Sequence, residues 1–287
     1  MIVESNEKGL PTVLITGCSA GGMGSALAEA FHERGLHVFA TARSLAKMSH
    51  LEKLPNVTLL ELDVTSSSSI AAAVEKVTAQ TGGKLDYLVN NSGKGLVLPA
   101  LETDLDRARK LFDVNFWGMV QVTHAFMPLI IAAKGTIVNS ASLAAVLHVP
   151  WGAFYNASKA AVVAYGESLR LEMAPLGVRV LTVITGVVRT KLFENVYKPI
   201  LPDDSLFKPA SKEISATAEG ALLNGSMSAE EFAKRVTNDV LGGATRLIWR
   251  GKMASFGWFI SSFFPSWLID RSKIAGSGVE HLTPPKQ

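Results

Sequence analysis

A single cysteine, Cys18, stands in 287 residues, so no internal disulfide can form. That scarcity points to a reducing compartment and to a fold held by its core rather than by cross-links. Cys18 lies in a glycine-rich stretch and reads either as a small buried side chain, the favoured assignment, or as an oxidisable thiol. Zinc-ligand spacing is missing, so no metal is expected. A strong charge bias is missing too: the net charge of +3 implies no nucleic-acid partner. The N-terminus lacks an apolar leader run, because Glu4, Asn6, Glu7 and Lys8 interrupt it; it does not read as a secretory signal. Tandem repeats are absent, and the serine run Ser66–Ser69 reads as the cap of a following helix.

What is present is apolar. Hydrophobic residues make up 48% and charged residues 18% of the chain, on the apolar side of ordinary globular proteins. The length supports one large catalytic domain, expected over 1–252, with an appended segment over 253–287. The run Thr12–Thr16 is apolar and β-branched. A glycine-rich turn follows, then a helical pattern with Leu27, Ala30 and Phe31 on one face, then a second strand at Val38–Thr41. Strand, glycine turn, helix and parallel strand form the opening of a dinucleotide-binding unit. Glycines admit a pyrophosphate to the backbone, and the helix N-terminus offers it free N–H groups.

Further strands are expected at Val57–Leu62, Tyr87–Asn90, Thr136–Asn139, Val178–Ile184 and Arg246–Trp249. Helices are expected at Ile70–Thr81, Asp106–Ala133 and Phe154–Ala174. The alternation predicts an α/β fold: a doubly wound, Rossmann-type parallel sheet with helices on both faces and an aromatic-rich C-terminal extension. Ligands bind such sheets beyond the C-terminal strand ends.

The chemistry is concentrated in YNASK. Tyr155 and Lys159 are four residues apart and share a helix face. An ammonium beside a phenol would lower the phenol's pKa from its ordinary value near ~10. Such a phenol can give a proton to an alkoxide or take one from an alcohol. Ser142, from a neighbouring strand end, can hold the same oxygen. The end of the second strand lacks the carboxylate that an NAD site needs and reads Thr41-Ala42-Arg43. Arg43 suits a ribose 2′-phosphate, with Lys47 as a possible assistant. NADP(H) is therefore the expected cofactor, and a solvated surface charge is the alternative for each cation.

The motifs together resemble the short-chain dehydrogenase/reductase family over nearly the whole length. They are TGCSAGGMG, LDV at Leu62–Val64, NNSG at Asn90–Gly93, VNFWG with Asn115, GTIVNSAS with Ser142, YNASK, and ITGVVRT ending at Thr190. The resemblance implies that Tyr155 is the acid/base, that Lys159 tunes it and holds the nicotinamide ribose, that Ser142 positions the substrate oxygen, and that Asn115 holds a relay water. It implies cofactor contacts at Gly17, Ser19, Gly22, Gly24, Thr41, Asp63, Val64, Asn91, Val188 and Thr190, beside Arg43, Lys47, Tyr155 and Lys159, with Asp63 at the adenine edge. Three departures stand out. The glycine turn carries one extra residue, and Ser92 and Thr185 replace the family's usual alanine and proline. The long helices bearing Asn115 and Tyr155 are the usual dimer surface, so a homo-oligomer is expected.

The segment 191–227 is where this fold places its substrate loop. Phe193, Tyr197, Pro199, Leu201, Pro202 and Phe207, with Leu143, His148, Val149 and Trp151, are candidates to wall an apolar pocket. His148 more simply reads as a loop histidine. Arg189, Lys191 and Lys198 read either as contacts to an anionic headgroup or as solvated charges. Met253–Ile269 carries no charged side chain, is rich in Trp and Phe, and is interrupted by Pro265. Basic residues flank it. It suits a segment lying in one membrane leaflet; the alternative is a helix pair covering the cleft or a dimer contact.

Within the family the chain most resembles fungal NADPH-dependent 1-acyldihydroxyacetone-phosphate reductases. That implies a lipophilic ketone or alcohol as substrate, and a place on the cytoplasmic side of the endoplasmic reticulum or on lipid droplets. Ketoreductases and alcohol dehydrogenases of specialised polyketide or terpenoid metabolism are the alternative. A non-catalytic NADPH-binding lipid-surface protein is the remote one.

Overall fold

The computed structural model describes residues 9–191, 196–197, 199–221 and 225–284. Strands and helices alternate in the order β1 (Thr12–Thr16), α1 (Met23–His32), β2 (His37–Ala42), β3 (Val57–Glu61), α2 (Ser67–Thr81), β4 (Tyr87–Asn90), α3 (Leu105–Phe112), α4 (Gly118–Ala133), β5 (Thr136–Ser140), α5 (Ala153–Met173), β6 (Arg179–Thr185), α6 (Ser211–Ala218), α7 (Ala229–Leu241), β7 (Arg246–Arg250), α8 (Ala254–Phe263) and α9 (Ser266–Ile274). The sheet has seven strands in the order β3-β2-β1-β4-β5-β6-β7. Every pairing is parallel. The strand order reverses between β1 and β4, which opens a crevice at their C-terminal ends.

Both faces of the sheet are covered, as a parallel sheet requires. Side chains alternate along each strand. Val13 and Ile15 of β1 join the core under α1 and α7, which includes Leu27, Phe31, Phe232 and Val236. Leu14 joins the opposite core under α2, α4 and α5, with Val77, Phe126 and Leu169. The expected strands all form, with ends within two residues of their predicted places. The serine run caps α2: the Ser66 hydroxyl accepts the Ser69 N–H at 3.3 Å, and Gly82 closes the helix in the left-handed region at φ 62°.

Two features depart from the sequence reading. The long pattern Asp106–Ala133 divides into α3 and α4, joined by a π-helical turn over Asp113–Trp117. The segment 191–227 contains α6 instead of being all loop, and α7 follows it unpredicted. Yet α7 had legible signals. Phe232, Ala233, Val236 and Val240 recur at helical spacing and are buried, and Ser228 caps the first turn, which carries Glu230 and Glu231. Among the described residues, one continuous helical stretch, Leu105–Ala133, is long and apolar enough to cross a membrane. Its Val122, Phe126, Leu129 and Ile130 are buried against the sheet, which accounts for that apolarity.

After β7 the chain folds back over the C-terminal strand ends. Helices α8 and α9 break at Phe264-Pro265, where proline removes a backbone donor. Gly257 of α8 sits directly on Leu143: a Cβ there would collide with the leucine side chain.

Candidate active site

The strand ends bring the motifs together. The glycine turn leaves β1 with Gly17 at φ 79° and Gly21 at φ 76°, a region open to glycine without strain. A Cβ on Gly24 would strike the Gly17 carbonyl and the Asn91 side chain. The turn is stitched to its neighbours. Cys18 N–H donates to Thr41 O at 2.8 Å and Ala20 N–H to Lys47 O at 2.9 Å. Asn91 Nδ2 donates to Thr16 O at 2.9 Å, while the Asn91 and Ser92 N–H groups reach Thr16 Oγ1 at 2.9 and 3.0 Å. Gly22 caps α1 without a side-chain bond, which leaves the first-turn N–H groups to a ligand. Ser19 is half-buried in the turn, and its carbonyl accepts the Gly22 N–H at 3.1 Å. Burial pushes the Cys18 thiol up to about 12 despite a backbone bond to Thr41 that favours the thiolate, so it is an unreactive packing residue.

Arg43 and Lys47 are exposed beyond β2. Partial burial pushes the Asp63 carboxyl upward. The Thr65 N–H and hydroxyl, with the charges of Arg43 and Lys94, overcome that push and hold it below its ordinary value. Asp63 is thus an anchored carboxylate beside Arg43. Thr41 departs from its expected place in the cofactor groove. It is fully buried, with its hydroxyl donating to Ile15 O at 3.0 Å and its carbonyl spent on Cys18, so it supports the turn from behind. Val64 is buried against Gly118, where a Cβ would approach its Cγ2 to 2.7 Å.

On the other side of the crevice, α5 carries Tyr155 and Lys159 beneath the end of β5. Tyr155 is half-buried and faces a cavity of about 500 Å³ that Ser142, Lys159, Asn91 and Gly93 also line. The Ser142 Oγ accepts the Ala144 N–H at 3.2 Å, which fixes the serine at the start of a short turn. Burial raises the Tyr155 phenol, and a hydrogen bond with Ser142 pulls the other way. This differs from the expected lowering by Lys159. The lysine is buried, and its ammonium donates to Ser140 O at 2.9 Å. It lies near Gly93, where a Cβ would sit 3.4 Å from Nζ and 3.5 Å from Asn115 Oδ1. Burial lowers Lys159 to about 8. The arrangement holds a protonated phenol and a buried cation on one cavity wall.

Asn115 occupies the π-helical turn, a backbone irregularity frequent at functional sites. Its Oδ1 accepts the Lys94 N–H at 2.7 Å. Its Nδ2 donates to Lys94 O at 3.0 Å and to Ser158 Oγ at 3.1 Å. The side chain therefore clasps the 93–95 loop beside Lys159. Val188 is buried and, with Thr190, lines the cavity from the segment after β6. A Cβ on Gly186 would strike the Lys252 carbonyl.

The rest of the cavity is mostly apolar. Leu143, Val149, Val196 and Thr217 contribute, and the extension supplies Phe256, Ile260 and Ile269, with Lys273 at one end. The C-terminal segment thus covers the cleft. Met253, Phe256, Gly257 and Ile260 recur at helical spacing, a signal that sequence reading left unused. His148 and Trp151 line a separate groove with Phe207, Val279 and Leu282, so neither walls the catalytic cavity. Leu201 and Phe207 belong to the apolar cluster behind it. Tyr197 is partly exposed under the Arg107 guanidinium, 3.6 Å from its ring centroid. Lys191 lies against the glycine turn, its N–H donating to Gly21 O at 3.2 Å. Phe193 and Lys198 lie outside the described residues.

The residues present fit a dinucleotide. The glycines place no side chain of their own where phosphate would approach, Gly22 leaves the helix N-terminus without a side-chain cap, and the buried Asn91 Oδ1 at the cavity edge has no partner among the described residues. The short chain dehydrogenase family model matches residues 11–200. A short-chain dehydrogenase of Penicillium ochrochloron is 49% identical over 93% of this chain and 98% of its own. An NADPH-dependent 1-acyldihydroxyacetone phosphate reductase of Schizosaccharomyces pombe is 38% identical over 85% of this chain and 87% of its own. A solved short chain dehydrogenase of Burkholderia cenocepacia, in complex with NADP, superposes with a TM-score of 0.72 at 27% identity, covering 92% of this chain and 97% of that one.

Lys159 links stability to pH. Its folded pKa, about 8, lies below the ordinary value of 10.5. Between those values the unfolded chain holds more protons, so folding gains stability as pH rises there; below about 8 the whole penalty for burying the cation is present. Lys159→Met should therefore melt above the wild type at pH 7, and the gap should shrink towards pH 10, read by thermal denaturation across that range.

Proposed function

We propose that this chain, which belongs to the short-chain dehydrogenase family, is an NADPH-dependent reductase of lipophilic ketones that runs in reverse as an alcohol dehydrogenase. The observation that carries this reading is the Tyr155 phenol and the Ser142 hydroxyl together on the wall of an apolar cavity next to a dinucleotide cradle. NADPH, when bound, supplies the hydride. Gly17, Ser19, Gly22 and Gly24 with the first turn of α1 would hold its pyrophosphate. Arg43, assisted by Lys47, would hold the 2′-phosphate, with Asp63 and Val64 at the adenine and Thr41 supporting the turn. Asn91, Val188, Thr190, Tyr155 and Lys159 would hold the nicotinamide end.

The same geometry supports the catalytic roles that the family resemblance implies. Ser142 donates to the substrate carbonyl and keeps it beside Tyr155. Burial keeps the phenol protonated at neutral pH, the state that reduction requires of a proton donor. Its proton passes to the carbonyl oxygen as that oxygen gains charge. Lys159 then stabilises the phenolate and, through a water held beside Asn115, restores the proton.

The cavity favours an uncharged ketone. Among the described residues, the cations lining it are Lys94, Lys159 and Lys273. Lys159 is catalytic, Lys94 acts on Asp63, and Lys273 is paired with Asp270 at 2.8 Å. Burying a phosphate dianion calls for more compensating charge than that. The likeness to the fission-yeast reductase supports acyl-dihydroxyacetone phosphate as the second reading. NADPH consumption against acyl-dihydroxyacetone phosphates, steroids, polyketide ketones and 2-alkanones, with product identification, separates them. A face exposing Trp117 and Leu171 on the α4–α5 side is kept as the surface for a homo-oligomer.

The outer face of the extension exposes Trp258, Phe259, Phe263, Phe264, Trp267 and Leu268. Its inner face lines the cavity, so a lipophilic substrate can pass from a lipid surface into the site. Peripheral contact with the cytoplasmic face of the endoplasmic reticulum or a lipid droplet is part of the proposal.

Tyr155→Phe should lower turnover about 10²–10⁴-fold while NADPH affinity is kept; unchanged turnover refutes the acid/base assignment. Arg43→Asp should weaken NADPH by about 10–100-fold, the value of a charge-assisted contact, and leave NADH little changed in fluorescence titrations. Phosphatidylcholine liposomes should carry the wild type upward on flotation. They should not carry the triple variant Trp258→Ser, Phe263→Ser, Trp267→Ser, which should still bind NADPH. Wild type remaining at the bottom removes the lipid contact from the proposal.

A further inference from the structure

Trp151 stands four residues before Tyr155 and immediately before the N-cap of α5. It is buried and adopts φ 65°, a conformation that bulky side chains avoid unless their surroundings impose it. The imposing contacts are visible. Its carbonyl accepts the Leu98 N–H at 2.7 Å. Its indole N–H donates to Ser277 O at 2.7 Å, across 126 residues of chain. Its ring meets Phe207 edge-on, with centroids 6.0 Å apart. The left-handed turn sends the indole away from the catalytic cavity, while Val149, Pro150 and Gly152 on either side line that cavity.

The tail that accepts this bond is itself seated. Gly276 and Gly278 turn the chain after α9 at φ 75° and 87°. A Cβ on Gly278 would lie 2.9 Å from Ala210 Cβ and 3.1 Å from Glu213 Cβ, so only glycine lets the tail lie this close on α6 and the turn before it. Val279 and Leu282 pack into a cluster that holds Leu96, Val97, Trp151, Val196 and Ile214. Three walls of the catalytic cavity come from the chain around that cluster: Leu96 and Val97, then Val149, Pro150 and Gly152, then Val196 and Thr217. Tyr155 packs against the same cluster, so the tail joins all three walls from behind and borders the phenol's own support.

We propose that the C-terminal tail latches the substrate cavity shut and that Trp151 is the positioning residue through which it acts, holding the three walls in register for a long apolar substrate. This rests on the reading of the cavity as the ketone site. In the full-length protein, Trp151→Phe keeps an aromatic ring but removes the indole N–H together with the pyrrole half of the side chain, and Val279→Asn with Leu282→Asn loosens the tail. Steady-state kinetics with 2-dodecanone and 2-butanone, NADPH titration, and hydrogen exchange are read together. Both variants should raise KM for 2-dodecanone by about 2–10-fold, the worth of one buried hydrogen bond or more. They should lower kcat by less, spare 2-butanone, and leave the NADPH Kd unchanged. Exchange should quicken in 205–218 and 277–282 and stay slow in the sheet. Unchanged KM and exchange overturn the latch. So does a joint loss of ketone and NADPH binding with faster sheet exchange, which would make Trp151 a general support of the fold. A wild type that reduces neither ketone counts against the ketone reading. The latch is then decided by exchange alone: faster exchange in the two segments supports it, and unchanged exchange overturns it.

Discussion

The site depends on one buried cation. Lys159 reaches from α5 to the carbonyl of Ser140 at the end of β5, and that bond ties helix to strand where the phenol must meet the serine. A buried ammonium is costly, and a single carbonyl does not repay its lost hydration; the lowered pKa of the lysine records the deficit. The surrounding fold carries that cost. Gly166 lets α5 come so close to β5 and β6 that a Cβ would strike Thr182. Beneath it, Asn90 Nδ2 donates to Thr123 Oγ1 at 2.9 Å and to Asn139 Oδ1 at 3.0 Å. A polar network in the core keeps the strand ends in register while apolar packing covers both faces.

The opposite side of the crevice is built by exclusion. The turn's glycines place no side chain of their own over it, although Lys191 lies against Gly21, and Thr41, Asn91 and Ser92 spend hydrogen bonds holding it. The two sides meet at the β1–β4 switch point, and the cavity lies over it. Its roof comes from the last part of the chain, so part of the apolar lining and the Ser142, Tyr155 and Lys159 set belong to different segments. The extension serves two surfaces at once: Gly257 and Ile260 turn inward, Phe256 borders the cavity while staying exposed, and Trp258 and Phe263 turn outward, as the spacing of an amphipathic helix allows. The latch beneath Trp151 extends the same division of labour to the cavity walls.

Much of this was legible in the chain. Alternating apolar runs predicted every strand, because both faces of a parallel sheet must be buried. The i, i+4 spacing of Tyr155 and Lys159 placed them on one face, and the glycines announced a close backbone approach. The absence of an acid after β2 left Arg43 as the candidate for a phosphate. The helix α7 is equally readable from the helical spacing of Phe232, Val236 and Val240. The π-helical turn around Asn115 had no local signal, since continuous helical spacing runs through it.

Local spacing determined which residues share a face and which turn requires glycine, because those follow from backbone periodicity alone. Only the tertiary structure decided what each face meets. Desolvation depends on everything packed around a group, so the rise of the Tyr155 phenol, the choice of Ser140 as the lysine's partner, and the withdrawal of Thr41 behind the glycine turn could not be read from neighbours in sequence. The same holds for Trp151 and Ser277, which are separated by most of the second half of the chain and meet only when the C-terminal tail closes over the sheet.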